Sequence, residues 1–271
     1  CNVYSRENVV LCEGTSLTPK ESEIKNCDAV IVCVGSDYKQ EGENLANFSK
    51  NDSVQEKGMG GDRYSLRIPA DEGALIRHAV ASCKNVIVNI IGGSAYIIEE
   101  WKDSVSAILH SFYGGMEGGN ALADTLYGRI SPSGSLSETF YKRAEDSSAL
   151  SVGDFADRET VHYREGELIG YRYTEKHNIP VQFKFGYGLS YTSFEISDVN
   201  IAKDNSKITL AVKNTGERTG KEVVTVYADN GKYKTLCAFE KVELMAGEKR
   251  AMTIEIPAKY AKDSILTVGD L

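Results

Sequence analysis

Short apolar runs alternate with helical patterns through the first half of the chain. Three runs have the length and β-branched content of buried strands, and they are Asp28 to Val34, Asn85 to Gly93 and Ser104 to Phe112. Pro69, followed by two acids and an apolar stripe with helical spacing, predicts a helix that extends to about Cys83. A second helix is predicted from about Glu117 to Tyr127, with Gly128 as its C-terminal cap.

This alternation of strand and helix is typical of an α/β domain with a mostly parallel sheet flanked by helices. The first strand, Asp28 to Val34, is expected to be buried on both faces because its apolar run is continuous. The polar stretch from Lys142 to Glu165 is assigned only as loop.

From about Phe194 the pattern changes to short alternating segments separated by turn signals. The segments are FEISDVNIA, KITLAVKNTG, KEVVTVYADN, LCAFEKVEL and RAMTIEIPA. Such regular spacing predicts an antiparallel β-sandwich. We place the domain boundary near Gly188, so that the α/β domain covers residues 1–188 and the β-sandwich residues 189–271.

A long polar segment from Gly35 to Arg63 follows the first strand. Connections of this length inside a compact domain are more often functional than plain links, and loops at the carboxyl ends of parallel strands form the binding crevice of an open sheet. Glu41 in this segment is the first candidate for chemistry, as a carboxylic acid that protonates a departing oxygen. The alternative interpretation is that Glu41, Glu43 and Glu56 are solvated loop charges.

Composition excludes several classes of partner. A formal charge of -8 gives no excess of positive charge that would attract nucleic acid or an anionic membrane. No apolar run is long enough to span a bilayer. The six cysteines form no CxxC pair and are interpreted as small buried residues in a reducing compartment. We therefore expect a cytoplasmic protein, unless a signal peptide lies upstream and directs secretion or export to the periplasm. The four histidines are scattered in sequence, so no metal and no other cofactor is expected.

Three blocks in order resemble the carboxy-terminal half of glycoside hydrolase family 3, the β-glucosidase and β-xylosidase family. They are SPSGSLSETF after EGGNALADTLYG, then VHYREGELIGYRY, then FKFGYGLSYTSFE, within Asp28 to Glu195. NTGERTGKEVVTVY and LCAFEKVELMAGE are similar to the fibronectin type III-like, or immunoglobulin-like, module that follows in many members.

The resemblance implies a retaining, exo-acting β-glycosidase that acts on a β-linked oligosaccharide or glycoside. The QEGE sequence is similar to the family segment that bears the acid/base glutamate, with Glu41 as the best match and Glu43 as the second. Asp62 and Arg63 resemble the pair that closes the same loop, and we expect them to fix the loop or to line the sugar site. The nucleophile aspartate would come from a barrel domain, in cis or in a second chain.

The chain also departs from the family pattern. Nothing in it resembles the barrel, Ser137 replaces the usual proline after Leu136, and Gly114 replaces another proline. The family's first strand and helix are expected to be missing. Two other functions therefore stay open: a non-catalytic carbohydrate-binding or assembly module, and a nucleotide-binding flavodoxin-like domain, which the absence of a GxGxxG spacing makes the weakest. Assembly of the chain with copies of itself also stays open.

Overall fold

The computed structural model describes residues 9–14, 16–17, 21–36, 63, 65–153, 160–262, 264–269 and 271. The chain divides into two compact units, Cys1–Ala123 and Asp124–Leu271. The predicted boundary near Gly188 lies inside the second unit. It stays a prediction about where the family's domains end.

The first unit is an open parallel α/β sheet. Its elements are α1 (Glu21–Ile24), β1 (Val30–Gly35), α2 (Ala70–Ser82), β2 (Val86–Ile91), a 3-10 turn (Lys102–Ser104), β3 (Ala107–His110) and the start of α3 (Gly118–Leu126). The strands pair in the order β1-β2-β3, and both pairs are parallel. The predicted parallel sheet is therefore confirmed, as are the two helices, with Gly128 at a positive φ of 68° after α3.

Burial in this sheet concentrates on the central strand. Val86, Val88 and Ile90 of β2 are at most 1% exposed. In β1 only alternate residues are buried, and Ile31 is 45% exposed. Successive strand residues point to opposite faces, so only one face of β1 is covered and the expectation of a strand buried on both faces is wrong.

The cysteines are also less buried than the sequence suggested. Cys27 and Cys33 are exposed, whereas Cys237 is buried. Although Cys27 as a whole is exposed, its sulfur atom is partly buried and lies 4.0 Å from that of Cys83. The pKa of the Cys27 thiol is raised, first by this partial loss of solvent contact and then by the Cys83 thiol. Among the cysteines that the structure describes, only Cys237 is therefore buried as the sequence predicted.

The second unit begins with short elements that the sequence pattern did not reveal. They are β4 (Phe140–Tyr141), a 3-10 turn (Ala144–Asp146), α4 (Ser148–Ser151), α5 (Tyr171–Lys176) and β5 (Val181–Phe183). Part of the stretch assigned only as loop is thus helical. Asp146 explains the 3-10 turn, because its carboxylate accepts hydrogen bonds from the backbone and the side chain of Arg143.

Two antiparallel sheets complete the second unit. Their strands are β6 (Phe194–Ile201), β7 (Lys207–Asn214), β8 (Gly220–Asp229), β9 (Lys234–Leu244), β10 (Lys249–Glu255) and β11 (Ile265–Val268), with α6 (Ala258–Ala261) before β11. The sheet orders are β10-β7-β6 and β11-β8-β9, and both contribute to one core that includes Ile208, Val226 and Leu244. The five predicted segments are all strands, so the antiparallel prediction is confirmed, and β11 is a strand that the sequence analysis missed.

Candidate functional site

The carboxyl ends of the three parallel strands meet at one edge of the first unit. β1 ends at Gly35 before Ser36, β2 ends at Ile91 before a glycine pair, and β3 ends at His110 before Ser111. In open α/β sheets this edge is where ligands bind. Several polar side chains converge there.

The end of β1 is packed tightly against β2. Gly35 has a φ of +136°, and a Cβ atom at this position would lie 1.8 Å from the carbonyl oxygen of Ile91. The Gly35 N–H donates to a carboxylate oxygen of Glu72 at 2.8 Å, and the Ser36 N–H donates to the Ile91 carbonyl at 2.8 Å. Only glycine fits position 35, so the chain leaves the sheet at a fixed point and in a fixed direction.

Tyr96 contacts Ser36 at this edge and is 1% exposed. Its hydroxyl oxygen is 2.6 Å from the hydroxyl oxygen of Ser36, and either group can donate. The space for that hydroxyl exists because residue 92 is glycine, where a Cβ atom would lie 2.3 Å from the Tyr96 oxygen. A buried tyrosine hydroxyl needs such a partner, and Ser36 supplies it.

Arg63, a residue predicted from the sequence, is brought to the same edge. Its guanidinium carbon lies 4.2 Å from the centre of the Tyr96 ring, within the range of a cation–π contact. The guanidinium donates to the Ser94 hydroxyl and, at 3.3 Å, to the Ala95 carbonyl. The expected role of Arg63 in fixing the loop stays a prediction. A direct role toward sugar stays a prediction.

Other polar residues at this edge were not singled out from the sequence. A ring nitrogen of His110 is 3.4 Å from the Ser94 carbonyl oxygen, and the His110 ring centre is 4.1 Å from that of Phe112. Asn89, 1% exposed within β2, accepts a hydrogen bond from the Ser111 hydroxyl. The available signal was an asparagine inside the apolar run VIVNII, because a buried amide in a central strand requires a partner.

The remaining predicted site residues cannot be placed. Glu41, Glu43 and Asp62 lie outside the described residues. Ser36 and Arg63, which bracket them in sequence, are both described and both contact Tyr96. Within the described ranges, no three His, Cys, Asp or Glu side chains come together as a metal site, and no helix is long and apolar enough to cross a membrane.

The chain has an open parallel sheet with polar side chains at its carboxyl edge, followed in sequence by antiparallel sheets. Its first unit is therefore an α/β sheet of the class in which ligands bind at the carboxyl ends of the strands. Residues 13–191 match the Glycosyl hydrolase family 3 C-terminal domain, and the chain belongs to this family. The resemblance drawn from the sequence blocks is therefore confirmed.

Named relatives agree with this assignment. The chain is 39% identical over 218 residues to "Thermostable beta-glucosidase B" of Acetivibrio thermocellus, covering 76% of this chain and 28% of that protein. It is 33% identical over 252 residues to "Probable beta-glucosidase J" of Neosartorya fischeri, covering 86% of this chain and 27% of the relative. A third relative, 33% identical over 214 residues, is an exo-alpha-(1->6)-L-arabinopyranosidase of Bifidobacterium longum, with 76% of this chain and 28% of that protein covered.

A solved structure shows the same fold. The family 3 β-glucosidase of Bifidobacterium adolescentis superposes with a TM-score of 0.78 at 30% identity, covering 91% of this chain and 37% of that chain. These names place the family among the glycoside hydrolases, as the sequence implied. The chain spans only 27% to 28% of the length of the three curated relatives, so the activity of the whole protein is a matter for proposal.

Proposed function

We propose that this chain is the part of a retaining, exo-acting β-glycosidase that supplies the acid/base residue Glu41. The nucleophile aspartate would come from a separate barrel domain, in the same polypeptide or in a second chain. Family membership supports this proposal together with one structural observation. Ser36 and Arg63, which precede and follow residues 37–62, are both held at the carboxyl edge of the sheet.

In the proposed mechanism, the aspartate attacks the anomeric carbon while Glu41 protonates the departing glycosidic oxygen. Glu41, now a carboxylate, then removes a proton from the water that hydrolyses the glycosyl-enzyme. Retention of configuration requires the two carboxyl groups to lie about 5 Å apart. In this proposal, the number of residues between Ser36 and Arg63 is what allows Glu41 to approach a nucleophile on another domain.

The test of this mechanism is Glu41→Gln, assayed in this chain together with its barrel domain. Loss of general acid catalysis should lower kcat/KM for an alkyl β-glycoside by about 100-fold or more. Because a nitrophenolate leaves without protonation, kcat/KM for a nitrophenyl β-glycoside should change little. Glu43→Gln is the matched control, since it removes a carboxylate two positions away, and it should leave both values near those of the wild type.

Two results would count against Glu41 as the acid. Equal losses on both substrates would indicate a role in folding or binding, and a selective loss in Glu43→Gln alone would transfer the role to Glu43. The substrate panel should include aryl β-glucosides, β-xylosides and α-L-arabinopyranosides, because named relatives differ in the sugar that they release.

The alternative is a non-catalytic carbohydrate-binding or assembly module, because the residues of this sequence offer a candidate acid/base carboxylate but nothing that resembles the barrel with its nucleophile aspartate. The discriminating measurement is turnover of an aryl β-glucoside by this chain alone and after addition of a family 3 barrel domain. Turnover only with the barrel supports the enzyme part. Saturable sugar binding without turnover in either case supports the module.

We also propose that the two antiparallel sheets form a fibronectin type III-like sandwich that supports the α/β domain. Their strand pairing and shared core support this assignment. Its role is structural in this proposal, because Phe194 and Tyr260 pack against the core that the two sheets share.

A further inference from the structure

We propose that Cys27 and Cys83 form a redox modification site, a pair of thiols that a small-molecule disulfide converts into an intramolecular disulfide. Their sulfur atoms lie 4.0 Å apart, although the two residues are 56 positions apart in sequence. Cys27 is exposed and Cys83 is half-buried, so a reagent in solution can reach the pair. The site lies at the amino ends of the parallel strands, opposite to the edge of the candidate ligand site.

The two cysteines occupy equivalent positions before adjacent parallel strands. Cys27 precedes Val30, the first residue of β1, by three positions. Cys83 stands at the same distance from Val86, the first residue of β2. Val30 and Val86 are partners in the parallel register. Adjacent strands lie about 4.8 Å apart and a disulfide joins Cα atoms about 4.4–6.8 Å apart, so the pairing of β1 with β2 favours a crosslink between these two positions.

Hydrogen bonds hold the two backbones together at this edge. The side-chain amide of Asn85 donates to the Asp28 carbonyl at 2.9 Å, and the Val30 N–H donates to the Asn85 carbonyl at 2.9 Å. Asp28 directly follows Cys27, and Asn85 follows Cys83 by two positions. The contact between the two sulfur atoms therefore depends on the backbone pairing and not only on the choice of side-chain rotamers.

Each cysteine is also anchored at the end of a helix. The Cys27 N–H donates to the carbonyl of Ile24, the last residue of α1, at 3.3 Å. The Cys83 N–H donates to the carbonyl of Ala79 in α2 at 2.9 Å. A disulfide bond is about 2.0 Å long, so the two sulfur atoms must approach each other by about 2 Å. Rotation of the side chains supplies this movement while the helix ends stay in place.

The reaction needs an oxidant, and a small disulfide such as oxidised glutathione supplies it. The Cys27 thiolate, on the more exposed residue, attacks one sulfur of the oxidant, forms a mixed disulfide and releases one glutathione thiolate. The Cys83 thiolate then attacks the Cys27 sulfur and releases the second glutathione thiolate. The two protons that leave the protein thiols go to the two glutathione thiolates. The protein pair is thus oxidised by two electrons, and the oxidant is reduced by two.

The physical consequence is a first unit whose stability depends on the redox conditions. The disulfide closes the covalent chain between the starts of two neighbouring strands, which restricts the unfolded chain more than the folded one. The first unit should therefore be more stable under oxidising than under reducing conditions. In calorimetry of the full chain, we expect its Tm to rise by about 5 °C or more when the disulfide forms.

The test uses the 271-residue chain, first reduced and then incubated with oxidised glutathione. Mildly alkaline pH is suitable, because the pKa of the Cys27 thiol is raised and the thiolate is the attacking species. Intact-mass measurement should show that most of the protein has lost two hydrogen atoms. Peptide mapping should find Cys27 linked to Cys83, and a dithiol reductant should reverse both changes.

Two variants separate the roles of the two thiols. Cys83→Ser keeps the attacking thiol but removes the one that resolves the mixed disulfide, so it should accumulate a glutathione adduct on Cys27 and show no rise in Tm. Cys33→Ser is the matched control, because it removes another exposed thiol, three residues beyond Val30 and thus about 10 Å further along β1. It should still form the disulfide and show the same rise in Tm as the wild type.

The mapping of the wild type decides the proposal even if a variant fails to fold. Cys27 and Cys83 that stay unlinked in oxidised glutathione, as free thiols or as separate adducts, would overturn the site. A map that links either residue mainly to another cysteine would overturn it as well. Linked peptides with an unchanged Tm would overturn the stabilising effect.

Discussion

Asn214, at the end of β7, has a fully buried side chain that makes four hydrogen bonds. Its amide nitrogen donates to the carbonyls of Arg218 at 2.7 Å and Leu244 at 3.0 Å. Its oxygen accepts from the Thr192 hydroxyl at 2.6 Å and from the Gly216 N–H at 3.1 Å. In the sequence, Asn214 is the first residue of a turn signal, but in the structure it is a polar hub inside the sandwich.

Asn214→Asp should therefore destabilise the second unit strongly. The substitution keeps the shape of the side chain but places a carboxylate oxygen against the carbonyl oxygens of Arg218 and Leu244, so both carbonyls lose the hydrogen bond that the amide donates. We expect a loss of about 3 kcal/mol or more in the free energy of unfolding, measured by urea denaturation at pH 7.

The control for this prediction is Asn230→Asp. The exposed Asn230 accepts hydrogen bonds from the N–H groups of Lys232 and Tyr233, and an aspartate accepts equally well. Its effect should stay within about 0.5 kcal/mol. Equal effects of the two substitutions would show that Asn214 is not the hub that its contacts describe.

At the scale of elements, two of the sequence blocks lie close together at Gly134 and Gly188, where the two backbones approach each other. The Leu136 N–H donates to the Tyr187 carbonyl at 2.9 Å, which pairs the SPSG stretch with the FGYG stretch. A Cβ atom on Gly188 would lie 2.2 Å from the carbonyl oxygen of Gly134. The blocks that identify the family thus contain a close approach of two backbone segments.

Gly188→Ala should separate these two segments and destabilise the second unit. The new methyl group meets backbone atoms, which cannot rotate away, so we expect a cost of about 1–3 kcal/mol and a lower Tm in calorimetry. Gly134→Ala is the matched control, because a Cβ atom there would meet nothing within 4 Å and should leave Tm nearly unchanged. A harmless Gly188→Ala would mean that the two segments can move apart at no cost.

At the scale of the whole molecule, the sequence predicted elements better than it predicted burial or tertiary contacts. β2 and α2 were foreseen because their apolar periods are long and regular. β4 and β5 were missed because they contain only two and three residues, too few for any period to show. The contacts of Tyr96 could not be foreseen either, because they join residues 60 and 33 positions apart and depend on the tertiary fold.

The predicted domain boundary near Gly188 stays a prediction, and residues on both sides of it contact each other. The sequence pattern changes near Gly188, yet the sheets are bonded to the residues before it. The Leu236 N–H donates to the Tyr171 hydroxyl at 2.8 Å, and the Tyr171 ring packs edge-on against Tyr227, which is 2% exposed. The Lys241 ammonium group also donates to the Ser133 carbonyl at 2.7 Å.

A fragment of residues 124–271 should consequently be more stable than a fragment of residues 189–271. The shorter fragment exposes Tyr227 and loses the bonds to Tyr171 and Ser133, a cost of about 3 kcal/mol, which corresponds to a fall in Tm of about 12 °C or more for a domain of this size. Tyr171→Phe in the longer fragment, which removes only the hydroxyl, should give a smaller fall. Equal melting temperatures for the two fragments would instead favour a sandwich that folds independently from residue 189, as the sequence pattern alone predicts.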